Sequence, residues 1–147
     1  MSTKLAVLIP VYNEPNGLET SLGSLVGSRE VFDVVVVDDG SDPPLSIEKN
    51  AYPFSCILLR SCQNNGIAAA LNKGLGYILD RQYTYVARLD AWDQVLPDRL
   101  EKQVAFLNNH PNHAIIGCNV DFVDWHETPL YHYGPRSNHK EIMREMR

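Results

Sequence analysis

The residues of this sequence that are best suited to chemistry are carboxylates that directly follow apolar runs. Asp38 and Asp39 come after four consecutive valines, and Asp90 and Asp93 follow a second apolar segment. Carboxylates at such positions can accept hydrogen bonds from a base or a ribose, and they can also bind a divalent cation that holds a diphosphate. Alternatively, a carboxylate after a strand caps the next turn or helix. We prefer this structural interpretation for Asp38 and the functional one for Asp39.

Alternating strands and helices would bring these carboxylates together. Apolar runs predict four strands, at residues 5–9, 34–37, 56–59 and 83–89. Periodic apolar residues predict three helices. The helix after the first strand is capped by Asn16, the helix after the third strand is capped by Asn64 or Asn65, and the helix after the fourth strand begins at Pro97. Strands joined by a helix run parallel, so their carboxyl ends share one edge of the sheet, where open α/β sheets bind ligands. We therefore expect an α/β fold with a mostly parallel sheet and helices on both faces.

Further elements are predicted around and after this sheet. They are a short helix at 45–50, a strand at 114–118 that is bent or restarts at 120–123, a hairpin or flap at 125–134, and a last helix capped by Ser137 or Asn138. The chain contains no repeat and no low-complexity linker. Residues 1–147 are therefore predicted to form one domain, in which 120–147 is a peripheral flap and helix.

Charge and composition exclude several functional classes. The net charge of -5 argues against a nucleic-acid-binding surface, and no apolar run approaches the ~20 residues of a membrane span. Three cysteines in no zinc-binding pattern indicate reduced thiols, so we expect a cytoplasmic protein, either free or peripheral at the inner face of the membrane. The spacing of His126 and His132 likewise disfavours a zinc site.

Four motifs resemble those of family 2 glycosyltransferases with the GT-A fold. They are residues 9–14, 36–42, 64–74 and 87–93 with 96–100, in the order and spacing of that family. The resemblance implies a Rossmann-like GT-A fold whose C-terminal part is absent from this chain. It also implies transfer of a sugar, with inversion, from a nucleoside diphosphate to the hydroxyl of a glycan or lipid-linked acceptor. Such reactions build glycans and cell-surface polysaccharides.

The resemblance also implies roles for individual residues. The nucleotide-binding residues that it implies are Pro10, Tyr12, Glu14, Asp39, Gly66 and Asp90. Among these, Tyr12 would stack near the base, Asp39 would hydrogen-bond the base, and Gly66 would let the backbone approach the nucleotide. The ligands that it implies for Mg²⁺ or Mn²⁺ are Asp90 and Asp93.

The sequence departs from the family pattern in two places. Trp92 stands where the Asp-X-Asp signature usually has its second carboxylate, and an indole has no lone pair for a metal, so both a metal site and a metal-free site stay open. The chain ends at Arg147, before the region that usually supplies the general base. We therefore expect no general base in this chain, and we disfavour Asp121, Asp124 and Glu127 as substitutes.

Two other functions compete with sugar transfer. Trp92 motivates a catalytically inactive nucleotide-binding or scaffolding module with a degenerate metal site. A nucleotidyltransferase shares the sheet and the metal, but it usually has a basic glycine-rich loop after the first strand, whereas residues 12–15 contain no lysine or arginine. A truncated sheet would expose an apolar edge, so a homodimer is also expected.

Overall fold

The structure, a computed structural model, describes residues 4–124, 126–134 and 144. The chain is divided into two compact units, which span residues 1–106 and 107–147. The elements are β1 (Leu5–Val11), α1 (Pro15–Leu25), β2 (Phe32–Asp38), β3 (Ser55–Arg60), α2 (Ile67–Asp80), β4 (Tyr85–Arg88), α3 (Arg99–Asn109), β5 (Val120–Val123) and β6 (Pro129–Tyr133). The single domain expected over residues 1–147 stays a prediction.

The strands of the first unit form one parallel sheet in the order β3–β2–β1–β4. β1 pairs with β2 from Leu5 opposite Phe32 to Val11 opposite Asp38, while β4 pairs with β1 only as far as Leu8. Because all four strands point the same way, the loops that follow them leave at one edge of the sheet. The predicted common edge for these loops is confirmed.

The valine run of β2 shows why the sheet is covered on both faces. Val34 and Val36 pack in a cluster with α1 and α3, whereas Val35 and Val37 pack in a second cluster with α2. All four side chains are fully buried, which is the environment that favours an uninterrupted apolar strand. The α/β fold with a parallel sheet and helices on both faces is confirmed.

Two predicted elements are wrong. Residues 45–50 form no helix, because the N–H of Leu45 donates to Asp38 Oδ2 (3.2 Å) and the side chains of Leu45 and Ile47 pack against the core from an irregular segment. Residues 114–118 form no strand, and Ile115 is exposed. An apolar run forms a strand only where a neighbouring strand accepts its hydrogen bonds, and none is paired with 114–118 among the described residues.

Both predicted helix caps are also wrong. α1 begins at Pro15 and not after Asn16, since the fixed φ of proline and its missing N–H suit the first helical position. α2 has Gly66 at its N-cap with no side-chain cap of its own. The N–H groups of Asn65 and Gly66 donate to Asp39, a residue that is distant in sequence, and the N–H of Gly66 is also within hydrogen-bond distance of Asn64 Oδ1 (3.0 Å).

In the second unit, β5 and β6 form an antiparallel hairpin with an irregularity between Phe122 and Val123. The rings of Phe122 and Tyr131 stack with centroids 4.2 Å apart. The strand at 120–123 is confirmed, and its partner lies within the predicted flap at 125–134. The last predicted helix, from Ser137 or Asn138, falls on residues that lie almost entirely outside those described. No helix in the described part of the chain is long and apolar enough to cross a membrane.

Candidate functional site

Three loops at the carboxyl edge of the sheet are joined to one another. Asn13, after β1, donates its backbone N–H to Ser41 Oγ (2.9 Å) and accepts the N–H of Asp42 (2.9 Å). A Cβ added to Gly40, after β2, would lie 2.3 Å from the carbonyl carbon of Gln63 in the β3–α2 loop. Only glycine therefore fits at position 40, and the three loops form one continuous surface.

Asp38 anchors this surface from below. Its side chain is fully buried, Oδ1 accepts the N–H of Ser41 (2.9 Å), and Oδ2 accepts the N–H of Leu45 (3.2 Å) and the guanidinium of Arg60 (2.9 Å). Burial alone would raise the pKa of Asp38, but these hydrogen bonds and the charge of Arg60 outweigh it and hold the pKa below the usual value. The contacts of Asp38 are those of a structural residue.

Asp39 differs from its neighbour because only one of its oxygens is used. Oδ2 accepts the N–H groups of Asn65 (3.0 Å) and Gly66 (2.8 Å), so the β2 loop holds the start of α2. Oδ1 is buried and has no hydrogen-bond partner within the described residues, and Asp39 as a whole is only 3% exposed. A buried carboxylate oxygen without a donor is destabilising, and such an atom marks a place where a ligand donor fits.

The other predicted nucleotide-binding residues of this edge differ in exposure. The side chain of Tyr12 is 47% exposed, whereas Pro10 is buried inside β1. Gly66 has φ +87°, and an added Cβ would meet nothing within 4 Å, so the backbone faces open space. Glycine is therefore required at position 66 by conformation and not by crowding.

Trp92 occupies an unusual position after β4. Its φ of 76° lies in the left-handed region, which bulky residues rarely adopt. The ring lies on Gly17 of α1, where an added Cβ would come within 2.7 Å of it, and its Nε1–H donates to Glu14 Oε2 (2.9 Å). The backbone N–H of Trp92 also donates to the carbonyl of Gly17 (3.1 Å). An exposed indole is thus fixed against the start of α1.

The carboxylates after β4 lie among arginines. Asp90 accepts two parallel hydrogen bonds from Arg88, from Nε to Oδ1 and from Nη2 to Oδ2, both 2.8 Å. This pairing raises the pKa of Arg88. Burial and repulsion from Asp90 raise the pKa of Asp93, against the opposing charges of Arg99 and Arg88. Two carboxylates and two guanidinium groups therefore balance one another here.

These residues do not fit a divalent cation. Mg²⁺ and Mn²⁺ prefer carboxylate, carbonyl and water oxygens, but both oxygens of Asp90 are paired with Arg88 and Trp92 supplies none. No group of three or more His, Cys, Asp or Glu side chains in the described ranges is arranged to hold a metal. The Mg²⁺ or Mn²⁺ predicted at Asp90 and Asp93 therefore lacks a ligand set in this arrangement.

The remaining candidates lie in the second unit. His132 Nδ1 is 2.5 Å from Asp121 Oδ1 across the hairpin. Asp124 Oδ1 accepts the N–H groups of Thr128 and His126, and the bond from Thr128 contributes most to lowering the pKa of Asp124. Asp124 therefore stabilises the turn between β5 and β6.

Sequence reasoning missed two residues that shape the site. Arg88 precedes Asp90 by two positions, a spacing that places both on one side of an extended segment, and this signal was available. The buried hydroxyl of Ser21 lies within hydrogen-bond distance of the carbonyl oxygens of Asp90 (3.1 Å) and Asp93 (2.8 Å). A serine between Leu18 and Leu22 on the apolar face of a helix was the corresponding signal.

Two relatives and one solved structure are similar to this chain. A protein of Haemophilus influenzae described as an uncharacterized glycosyltransferase is 36% identical over 80% of this chain and 45% of that protein. The amylovoran biosynthesis glycosyltransferase AmsE of Erwinia amylovora is 33% identical over 90% of this chain and 51% of that protein. The chain thus spans about half the length of these relatives.

The structural comparison agrees with the sequence comparisons. The crystal structure of S. aureus TarS 1-349 in complex with UDP-GlcNAc matches with a TM-score of 0.63 and 25% identity, over 74% of this chain and 32% of that one. This likeness confirms the predicted GT-A fold class. The family profile of Glycosyl transferase family 2 matches residues 6–146, which is nearly the whole sequence. The chain belongs to glycosyl transferase family 2.

Proposed function

We propose that this chain is the donor-binding part of a glycosyltransferase that takes its sugar from a nucleoside diphosphate. The observation that carries the proposal is the buried Oδ1 of Asp39, which lies at the shared edge of four parallel strands and has no hydrogen-bond partner in the described part of the chain. A ring N–H of a nucleobase supplies the hydrogen-bond donor that this oxygen lacks. Tyr12 is half exposed at the same edge and offers a ring for stacking against that base.

The need for a hydrogen-bond donor opposite Asp39 Oδ1 restricts which nucleobases fit the site. Uracil, thymine and guanine carry a ring N–H on the edge used in base pairing, whereas cytosine has a bare nitrogen at the equivalent place. A carboxylate oxygen that faces this ring position therefore accepts a hydrogen bond from the first group but meets a lone pair in cytosine, whose donor is its exocyclic amino group. The named ligand of TarS is UDP-GlcNAc, which agrees with this restriction, and we propose a uridine, thymidine or guanosine diphosphate sugar as donor.

The rest of the reaction follows the family resemblance. The sugar is transferred with inversion to a hydroxyl of a glycan or lipid-linked acceptor. The reaction belongs to polysaccharide biosynthesis, the context that the name of the relative AmsE gives for that protein. Among the described residues we assign no general base. We further propose a cytoplasmic location, either free or peripheral at the inner face of the membrane, and a homodimer that size-exclusion chromatography tests. The resemblance implies Mg²⁺ or Mn²⁺, and the need for it is tested in the next subsection.

Calorimetric titration with UDP and CDP tests the proposed function. We expect UDP to bind and CDP to bind at least about tenfold more weakly, because one charged hydrogen bond becomes a repulsion. Asp39→Asn should weaken UDP binding by about tenfold or more. The matched control is Asp33→Asn, which removes the same charge at the opposite end of β2. Equal binding of UDP and CDP, or no binding of UDP, GDP and dTDP, contradicts the proposal.

A second candidate function is a catalytically inactive nucleotide-binding module. The observation that favours it is the fixed indole of Trp92 at the position of the expected carboxylate. Donor consumption separates the two candidates: slow hydrolysis or transfer of a bound UDP-sugar supports the enzyme. Tight binding of the donor, with no turnover by the chain or by a longer relative carrying tryptophan at this position, supports the inactive module.

A further inference from the structure

The end of β4 carries as many cationic as anionic groups, and this balance bears on how a diphosphate is held. Arg88 and Arg99 face Asp90 and Asp93, so two guanidinium groups offset these two carboxylates. The nearby Glu14 accepts the indole N–H of Trp92. Arg88 is the better placed of the two arginines, since its side chain is 54% exposed and only its Nε and Nη2 hydrogen-bond to Asp90 among the described residues. A guanidinium has five N–H donors, and Asp90 uses only two of them.

Arg88 and Asp39 lie on the same face of the sheet. Tyr85 and Ala87 pack in the cluster with α1, so Arg88 alternates to the face that α2 covers, as Val37 does. Asp39, two residues after Val37, shares that face. Both β4 and β2 pair with β1, and Arg88 is opposite Leu8. Arg88 is thus two strands across from Asp39, about 10 Å, and four residues before it, about 13 Å along the strand.

This separation suits the two ends of one ligand. A nucleotide whose base meets Asp39 extends its phosphates away from β2, and a long arginine side chain covers part of the remaining distance. The planar fork of arginine matches phosphate oxygens, and the Asp90 pair orients it. Trp92, fixed by Glu14 and Gly17, fills the place where a second carboxylate would recruit a metal.

We propose that this site binds the diphosphate of its nucleotide through Arg88 and without a divalent cation. The inference rests on the proposed function and deepens it. Asp90 acts as a positioning residue that orients Arg88, and Trp92 excludes the metal. The left-handed backbone of Trp92 fits this view, because strained residues persist where the surrounding contacts hold them in place, often at functional sites.

The test is titration of the 147-residue chain with UDP, once in excess EDTA and once in excess MnCl₂. We expect the two dissociation constants to agree within about twofold, since no ligand set recruits the metal. Binding that requires MnCl₂ overturns this inference but leaves the proposed function intact. Absence of binding in both conditions, for UDP, GDP and dTDP alike, contradicts the proposed function and removes this inference with it.

Two matched pairs of variants sharpen the test. Arg88→Gln should weaken UDP binding by about tenfold or more in EDTA, because a charged phosphate contact is lost. Arg81→Gln, which removes the same charge at the far end of α2, should leave UDP binding unchanged. Equal binding by wild type and Arg88→Gln overturns the assignment of Arg88.

Trp92→Asp should make UDP binding respond to MnCl₂, whereas Trp92→Asn should not. Both small residues tolerate the left-handed backbone, and they differ only in the carboxylate. Manganese binding to Trp92→Asp, followed by electron paramagnetic resonance without nucleotide, gives a readout that is independent of UDP. If wild type and Trp92→Asn bind Mn²⁺ as Trp92→Asp does, Trp92 does not exclude the metal and the inference is overturned.

Discussion

The carboxyl ends of β2 and β4 each present two carboxylates, but the surroundings of the two pairs are opposite. At β2, Asp38 and Asp39 are buried and are satisfied mainly by backbone N–H groups, with one oxygen left over. At β4, Asp90 and Asp93 are more exposed and face arginine side chains. A carboxylate held by backbone N–H groups is fixed by the fold, whereas one paired with arginine side chains is fixed only as firmly as those side chains are.

The comparison shows that carboxylates at the carboxyl ends of two strands in one sheet can have different roles. In the β2 pair, Asp39 has a buried oxygen without a partner among the described residues, and this is the oxygen that we propose for base recognition. The β4 pair has lost the second carboxylate of its signature and has a charge balance of its own. We therefore expect changes at β2 to affect folding strongly, and changes at β4 to affect ligand chemistry more than stability.

The largest expected effect is that of Asp38→Asn on the free energy of unfolding. The variant leaves two backbone donors and the partly exposed Arg60 without their carboxylate, and losing hydrogen bonds to a charged, buried acceptor costs about 2–3 kcal/mol. Asp90→Asn is the matched change at β4, and its partly exposed ion pair contributes less than about 1 kcal/mol. Urea denaturation of both variants measures the difference. If the two variants lose similar amounts of unfolding free energy, the proposed difference between the ends of β2 and β4 is wrong.

Packing of Trp92 on α1 should give an intermediate effect. Gly17→Ala places a Cβ 2.7 Å from an indole that Glu14 holds in place, so we expect a loss of about 1–2 kcal/mol. Gly23→Ala, in the same helix with nothing within 4 Å, should instead stabilise the protein by about 0.5–1 kcal/mol through helix propensity. Thermal unfolding and tryptophan fluorescence of the two variants measure this. A stabilising Gly17→Ala would show that the ring is free to move.

The smallest expected effect concerns the pH dependence of stability. Ionisation of Asp38, at the end of β2, should stabilise the protein, whereas ionisation of Asp93, after β4, should destabilise it. The pKa of Asp38 is lowered by folding, so its ionised form stabilises the protein above the unfolded pKa of about 3.9, and this stability is lost as the pH falls. The pKa of Asp93 is raised by folding, so its ionised form destabilises the protein at neutral pH and the penalty disappears in acid.

Unfolding of two variants at neutral and acidic pH measures this difference. Asp93→Asn should therefore raise the melting temperature slightly at neutral pH and leave it unchanged in acid. Asp38→Asn should show its full destabilisation at neutral pH and a smaller one in acid. Asp93→Asn that destabilises the protein at neutral pH would contradict the sign for Asp93.

Local patterns in the sequence were sufficient to predict the sheet. The valine run, the helical periodicity between the strands and the parallel order follow from contacts that each segment makes in a regular way. The common edge then follows from strand direction alone, which is why Tyr12, Asp39 and Asp90 were grouped correctly at one edge of the sheet.

Contacts between distant segments were not predictable from those patterns. Asp39 holds the start of α2 from 26 and 27 residues away, and this long-range contact adds to the local one that Asn64 makes with the N–H of Gly66. The bond from Trp92 to Glu14 spans 78 residues, and the left-handed backbone of Trp92 depends on Gly17. Such partners become visible only when the fold has placed the loops beside one another.

The central claim is that the free oxygen of Asp39 marks a nucleotide-binding site at the shared edge. The most direct measurement is a crystal structure of the chain with UDP. We expect the ring N–H of uracil to donate to Asp39 Oδ1 and the phosphates to lie over the end of β4. A nucleotide bound elsewhere, with Asp39 Oδ1 still buried and without a donor, would contradict the claim.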